Sequence, residues 1–531
     1  MVIPCPRLDG VKETWLAEWS HLDEEAKIEG ADGEALTTTT SDSSPSNGPA
    51  VVVAEAAAAA TKTRPEGILA KLRRYEAILD AKLGVEAHAV DRKRAEDRDP
   101  SFASWHNQAV MFLLWMSSTL NLGCFAVGFL GMEMGLDLRR TLVIIVFGTL
   151  VGSAVTGWCA TIGPKTGLRQ VSISRYSMGW WPSKLIAALN VVEQVGWSAI
   201  GSITGGLALS AVSDGGVGSA LGVVIASVLG FVVSFVGLKA VFQYEKFAGL
   251  LLVVVFVVMY AETGRFADMA ATTELQGPAL SAATLSLFSV VYGSSASWSS
   301  IVADYYVEYP VDTSSLKVFV LTTLGICLPT VFGMCLGAVV ASALHNHPRW
   351  EAAYAKGIGF LVQAAIRPTG FAKLLLVLLA LSGIATNAVS IYSASLSMQQ
   401  MGRPLGVVPR FFWTSLMFVA VVLLSLVGRD KFVGFLENFL SLLGYWVTSF
   451  FVIIFCEHYV FRRGSYQLYD LDAWNTPSLM PVGLAEGYVG ALAALIGDPK
   501  HGGDLGNELA FVSTLVVYVP ARWLEYRFPK R

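Results

Sequence analysis

Long apolar runs alternate with short polar stretches from about Asn107 to the C-terminal end of the chain. The runs are long enough to cross a bilayer as helices, and they lack the short alternating segments of a β-barrel. Twelve spans are predicted, at roughly 107–131, 141–162, 183–212, 217–238, 243–262, 281–301, 316–342, 371–399, 408–427, 432–456, 481–497 and 508–524. The last is short and carries Arg522. An even number of spans places both termini on one side of the membrane.

Span 6 contains a weak point. Its second half holds Gly293-Ser294-Ser295-Ala296-Ser297, with Trp298 directly behind. Facing lipid, unwound backbone there would leave N–H and C=O groups without partners, at several kcal/mol each. Such an interruption is tolerated where it lines a cavity, which points to a binding site near the midplane of a transporter. The other reading is that small residues let helices pack closely. Span 1 has a weak point too: Ser117-Ser118-Thr119, then Asn121 and Gly123, with Gly128 and Gly131 beyond. Two interrupted spans five apart are what two five-helix repeats of inverted topology would show. The fold class is therefore read as an all-α integral membrane protein of about twelve transmembrane helices. The repeats cover about 107–262 and 281–456, and two extra helices cover about 481–524.

Residues 1–105 are read as a cytosolic N-terminal tail. The tract from about 37 to 63, rich in Thr, Ser and Ala, is predicted to be disordered because it offers little apolar surface to bury. Glu66 to Lys82 has helical spacing, with Ile68, Leu69, Leu72, Tyr75, Ile78 and Leu79 on one stripe. The first 100 residues are polar and show no signal-peptide pattern, so span 1 is the expected insertion signal.

Composition agrees with a membrane protein: 54% of residues are hydrophobic and 15% charged, with mean hydropathy +0.55, whereas soluble domains carry about 25% charged residues. The net charge of −3 identifies no partner. Outside the tail no basic cluster suggests nucleic acid. The six cysteines show neither metal-ligand nor disulfide spacing. The implied partners are the lipid bilayer and a small molecule, with no cofactor. Lys165, Arg169, Arg175 and Lys184 between spans 2 and 3, together with the basic residues before span 1 and at the C-terminus, place both termini in the cytosol. The loop between spans 7 and 8, with Arg349, Lys356, Arg367 and Lys373, argues the other way.

A small planar solute needs aromatic faces to stack on and a few placed polar groups. Trp298 behind the break in span 6 and Trp197 midway along span 3 are candidate faces; each is equally readable as packing. Asn387 in span 8 offers two donors and an acceptor, either to a heterocycle edge or to a neighbouring helix. Ser382, Thr386, Ser390 and Ser393 share that span. Their hydroxyls could hold a cation or cap carbonyls freed by span 1. Glu193 in span 3 and Glu437 in span 10 are carboxylates inside apolar runs, a costly placement that suggests proton relay. Asp304 and Glu308 are read as helix-end or loop residues.

Several runs resemble the fungal purine–cytosine permeases, a branch of the nucleobase–cation symporter-1 family. They are GPKTGLRQVSISRYSMGWWPSK (163–184), GWSAIGSITGG (196–206), SWSSIVADYY (297–306), IYSASLSMQ (391–399), FLENFLSLLGYW (435–446) and GVEAHAVDRKRAED (84–97). The resemblance implies a leucine-transporter-like fold and proton symport of a nucleobase-like heterocycle at the plasma membrane. It implies a substrate held between spans 1, 3, 6 and 8. Trp197 and Trp298 match the family's stacking tryptophans, Asn387 its span 8 asparagine, and Ser117 or Ser118 a polar residue of span 1. Ser382 falls where sodium-coupled relatives place a cation-ligating hydroxyl. Two departures stand out: Gly201 replaces an amide residue four after Trp197, and the span 8 run reads Ala385-Thr386-Asn387-Ala388-Val389. Losing a bidentate group can change substrate choice by orders of magnitude, and a larger ligand could use the space at Gly201.

The chain is read as a proton-coupled transporter of a cytosine- or purine-like heterocycle. Substrate contacts fall to Ser118, Trp197, Trp298 and Asn387, with Ser117, Gly201, Ser382 and Thr386 as further contacts and Glu193 or Glu437 for the proton. Alternatives are a transporter of a vitamin such as pyridoxine and a non-transporting nutrient sensor of the same fold. Among the spans no nucleophile–base set, metal cluster or phosphate loop suggests an enzyme.

Overall fold

The computed structural model describes residues 90–236, 238–481 and 504–527. The tract 37–63 and the striped segment 66–82 lie outside them, as does nearly all of span 11. Among the described residues the regular structure is helical, and a helix overlies every other expected span. The helices are Leu138–Ala160 for span 2, Pro182–Val212 for span 3, Ser219–Val236 for span 4 and Leu238–Thr263 for span 5. Span 6 begins with Gly277–Ala296, and Ser315–Ser342, Thr369–Gln400, Arg410–Gly428 and Phe432–Cys456 form spans 7 to 10. Gly506–Arg527 forms span 12.

These helices sort into two packed groups. Spans 1, 2, 6 and 7 pack on one another, and spans 3, 4, 8 and 9 form a second group; span 10 lies against span 6 and span 12. Glycines set the closest crossings. A Cβ on Gly201 of span 3 would meet the Gly383 carbonyl of span 8 at 2.8 Å, and one on Gly383 would strike the Gly201 carbonyl. Backbone touching backbone is how helices associate where lipid is as apolar as leucine.

Span 1 is broken where its sequence weakens. Helix Trp105–Thr119 ends, Leu120 and Asn121 leave helical geometry, and a second helix runs from Leu122 to Val127. The two halves bend by 49°. Asn121 serves both ends of the gap: its Oδ1 accepts from the Cys124 N–H (2.8 Å) and its Nδ2 donates to the Ser118 carbonyl (3.0 Å). Span 8 completes the set. Thr386 Oγ1 accepts from Asn121 Nδ2 (3.2 Å) and donates to the Ser118 carbonyl (3.4 Å), while Ser382 Oγ accepts from the Leu122 N–H (3.4 Å). Helix-end groups that water would satisfy in a soluble protein are satisfied here by side chains.

Span 6 breaks later than its composition indicates. Gly293 to Ala296 stay α-helical; the chain tightens to 3₁₀ turns over Ser297–Ser300 and again over Val302–Tyr305. Gly293 is small because the Leu440 carbonyl of span 10 lies where its Cβ would be. The small-residue run thus has a packing half and an unwinding half.

The end of the molecule that carries the segment before span 1 is tied together by polar contacts. Arg98, 6% exposed, donates to the carbonyls of Pro164 (2.5 Å) and Tyr309 (2.8 Å). The helix Gln170–Met178, between spans 2 and 3, is gripped from both groups. Asp304 Oδ1 accepts from the Gln170 N–H (2.7 Å), and Arg175 Nη2 donates to the Gln400 carbonyl (3.0 Å).

A candidate substrate site between two helix groups

The break in span 6 puts Trp298 opposite Trp197 of span 3. Their ring centres are 5.9 Å apart and their planes differ by 22°, a stacked pair that joins one helix group to the other. Trp197 Nε1 donates to Ser297 Oγ (3.2 Å), the first residue of the 3₁₀ turn. Both rings are nearly enclosed, at 9% and 3% exposure. Trp115 of span 1 meets Trp298 edge-on at 5.8 Å, and Phe439 of span 10 meets Trp197 edge-on at 6.1 Å. Trp115 is held in turn: its Nε1 donates to the Tyr306 hydroxyl (3.2 Å), which pairs with Thr322 Oγ1 (2.6 Å).

Sequence reasoning passed over Trp115 and Phe439 and read Ser297 only as part of the small-residue run of span 6. The spacing of Trp115 from Ser118, three residues on a helix, was a usable signal because such residues share a face.

Ser118 lies at the break of span 1, 1% exposed, and its hydroxyl has no hydrogen-bond partner among the described residues. The same holds for Ser295, Ser299 and Ser390. Ser117 Oγ donates to the Leu114 carbonyl (3.1 Å). Ser382 and Thr386 face the span 1 break, where they cap backbone groups. Tyr305 and Ser393 pair across the two groups at 3.1 Å.

Asn387 and Gly201 face elsewhere. The Asn387 amide accepts from Ser198 Oγ (2.9 Å) and donates to Ser202 Oγ (3.0 Å) and the Ala226 carbonyl (3.4 Å), all within the group of spans 3, 4 and 8. The space expected at Gly201 is filled by Asn387 Oδ1, 2.9 Å from where a Cβ would stand, and by the Gly383 carbonyl. The expectation that Gly201 makes room for a larger ligand is therefore corrected: this glycine lets spans 3 and 8 cross.

Glu193 lies one turn before Trp197 and is fully buried. Its Oε1 accepts from Ser300 Oγ (3.2 Å) across the group boundary and from Gln194 Nε2 (3.3 Å). Its Oε2 has no hydrogen-bond partner among the described residues. Glu437 is half-buried in span 10, two residues from Phe439 and so about 200° around the helix from the ring that meets Trp197. Asp304, beyond the end of span 6, is buried beside Arg169 (3.9 Å). Burial pushes its carboxyl up to about 6, against the pull of the guanidinium and the Gln170 amide.

Sequence reasoning also missed Glu457, a buried carboxylate at the end of span 10 that binds Arg522 through both oxygens (2.9 and 3.0 Å) and Arg462 (2.9 Å). Arg522 sits in span 12 because Glu457 receives it. No spacing in the chain links residues 65 apart.

Comparison with known proteins places this arrangement. The profile of the family described as permease for cytosine/purines, uracil, thiamine, allantoin matches residues 104–496. The vitamin B6 transporter TPN1 of Saccharomyces cerevisiae is 29% identical over 515 residues, covering 84% of this chain and 88% of that protein. The purine-cytosine permease fcyB of Emericella nidulans is 31% identical over 492 residues, covering 88% and 93%. Among solved structures, Mhp1, a nucleobase-cation-symport-1 family transporter in a closed conformation with bromovinylhydantoin bound, is similar in fold. Its TM-score is 0.64 at 18% identity, with 84% of this chain and 97% of that one covered. By the extent of the profile match and by relatives at this identity, the chain belongs to the cytosine/purine permease family of nucleobase–cation symporter-1 transporters.

Proposed function

We propose that this transporter carries a small planar nitrogen heterocycle of the nucleobase class, cytosine- or purine-like, by proton symport. The observation that supports it most directly is the near-parallel Trp197–Trp298 pair on the boundary between the two helix groups. Aromatic faces at van der Waals contact lie about 3.5 Å apart, so a ring held between the two tryptophans needs them about 7 Å apart. Ligand entry then parts the two ring planes, pushing span 6 from span 3. Rocking spans 1, 2, 6 and 7 against spans 3, 4, 8 and 9 about this site would give alternating access. The hydroxyls of Ser118 and Ser390 can hydrogen-bond the rim of the ring, with Ser382 and Thr386 fixing the span 1 break beside it and Ser117 bonded back to the Leu114 carbonyl of its own helix. Asn387 shapes the site through Ser198 and Ser202.

Glu193 is the proposed proton carrier. It bridges the two groups through Ser300, and neutralising it would loosen that bridge when the proton arrives with substrate. The protein would work in the plasma membrane with both termini in the cytosol.

A second reading is a vitamin B6 form as substrate. The engagement of the Asn387 amide favours it, because an amide already bonded to Ser198, Ser202 and Ala226 is not free to read a nucleobase edge. The relative TPN1 has that substrate in its name.

The test is uptake of radiolabelled cytosine, adenine, hypoxanthine and pyridoxine by a permease-deficient yeast expressing the chain, at pH 5 and pH 7.5. Nucleobase uptake stronger at pH 5 supports the first reading. Pyridoxine uptake that cytosine and adenine do not compete with replaces it by the second. Binding without accumulation of any compound would contradict transport and favour a sensor.

A further inference from the structure

The basic loop between spans 7 and 8 runs against the rule that puts arginine and lysine on the cytosolic side. Lying an odd number of spans from the basic loop after span 2, it belongs at the opposite end of the molecule. The structure shows where those charges go. Lys373 pairs with Asp214, and Gln363 donates to the same carboxylate. Lys356 lines a cavity that also contains Asp214.

Arg349 borders that cavity as well as a second one, which Arg367 lines. With Arg265, in the turn Gly264–Phe266 that ends span 5, they line this second cavity, of about 350 Å³. Glu262, Phe266, His347 and Trp350 line it too. Among the described residues none of the three guanidiniums has a carboxylate within ion-pair distance. Three exposed arginines against one carboxylate give the lining of this space a formal charge of +2. Like charges so placed repel, and a counter-anion relieves them.

The cavity has a firm base. Phe266 and Trp350 meet edge-on at 5.3 Å, Phe266 and His347 at 5.0 Å, and the Arg265 guanidinium stands 4.8 Å from the Phe266 ring centre. A guanidinium fork fits the oxygens of phosphate or carboxylate. A phosphoryl group carries about −1.5 to −2 near neutral pH, which matches the +2 better than a single carboxylate does.

We propose that this cavity binds a phosphoryl group, free or borne by a phospholipid, at a site separate from the tryptophan pair. The site joins elements that bear on access. Arg265 belongs to the end of span 5, whereas Arg349 and Arg367 belong to the loop of helices Pro348–Tyr354 and Ile358–Ala365. Tyr354 of that loop stacks on Phe129 at 5.0 Å, and its hydroxyl donates to Glu133 Oε1 (3.1 Å). The loop thus caps the second half of span 1. A phosphoryl group held by all three arginines ties the cap to span 5.

The test uses the full chain purified in detergent and stripped of lipid. Inorganic phosphate is titrated against chloride at constant ionic strength while the thermal unfolding midpoint is followed. In parallel, protein in nanodiscs with or without phosphatidic acid is examined for retained phospholipid by native mass spectrometry. The variants are R349Q/R367Q, R349K/R367K, which keeps the charge and loses the forks, and K356Q as control. A saturable rise of roughly 2–4 °C with phosphate is expected in the parent chain and in K356Q, lost in R349Q/R367Q and weakened in R349K/R367K. A lipid source would show instead as phospholipid retained by the parent chain and lost by R349Q/R367Q. If neither phosphate nor phospholipid distinguishes R349Q/R367Q from the parent chain, the site is refuted.

Discussion

The breaks in spans 1 and 6 stand side by side, yet they are built differently. In span 1, Asn121 serves both broken ends and span 8 supplies two more hydroxyls. In span 6 the helix relaxes into 3₁₀ turns instead of being capped and restarted: Thr156 of span 2 donates to the Ser295 carbonyl (2.8 Å), and among the described residues Ser295 and Ser299 keep hydroxyls without hydrogen-bond partners, as Ser118 does at the span 1 break. The difference assigns the work. A break pinned at both ends by Asn121 and held by two hydroxyls of span 8 makes a fixed bend. The 3₁₀ turns of span 6, carrying Trp298 and facing Glu193, are the part that the proposed mechanism moves when a ligand arrives.

The largest expected effect is on the fixed bend. Asn121→Ala removes a buried acceptor and a buried donor at once, and each unsatisfied group costs about 1–3 kcal/mol. Most of the surface pool should be lost, measured by fluorescence of a tagged chain. A variant at full surface level would show that the bend does not need this cap. At span 6 the loss should fall on function instead. Trp298→Ala or Trp197→Ala is expected to raise KM for the transported heterocycle by about 10- to 100-fold at unchanged surface level, since stacking contributes about 1–3 kcal/mol. Equal loss of surface protein in these variants would erase the contrast between the breaks.

Smaller effects sharpen it. Gly201→Asn restores the residue type that the family resemblance leads one to expect, yet its side chain would push spans 3 and 8 apart. A loss of about 1–3 kcal/mol in stability is expected, with no gain in nucleobase affinity. Tighter cytosine binding in this variant would mean that the position faces substrate after all. Glu193→Gln should leave heterocycle binding in place and bring the ratio of uptake at pH 5 to that at pH 7.5 close to one. An unchanged ratio would move proton coupling elsewhere.

The smallest effect concerns Asp304. Its carboxyl, raised to about 6 in the folded protein from its ordinary 3.8, makes the folded state bind a proton more tightly than the unfolded one. Its contribution to stability is therefore full below about 4 and is lost as pH rises through about 6. Asp304→Asn should flatten that slope, by roughly 2–4 °C in unfolding midpoint between pH 4.5 and 7. The groups capping the span 1 break are amides, hydroxyls and backbone, so such a slope would appear there only after an ionisable replacement such as Asn121→Asp.

Much of the fold was legible because apolar length is read directly from sequence. The span 1 break was legible as well, since Ser, Thr, Asn and Gly cluster where the helix fails. The span 6 break was placed four residues early, because small residues serve close packing and unwinding alike and only the Leu440 carbonyl reveals which job Gly293 has. Trp197 was singled out by its position midway along span 3 and Trp298 by its place directly behind the small-residue run of span 6. The direction of Asn387 was not legible. It lies one residue, about 100° around the helix, from Thr386, which faces span 1, and the rotation of span 8 follows from packing at Gly383 rather than from anything local. Glu457 and Arg522 meet only through the fold.

The most direct measurement is the structure of the full chain with its transported heterocycle bound. The ligand ring should lie between Trp197 and Trp298, with their facing planes about 7 Å apart, their direct stacking lost and the displacement carried by span 6 while the span 1 bend holds. A ligand bound elsewhere, with the two tryptophans still stacked on each other, would contradict the assignment of this pair as the substrate site.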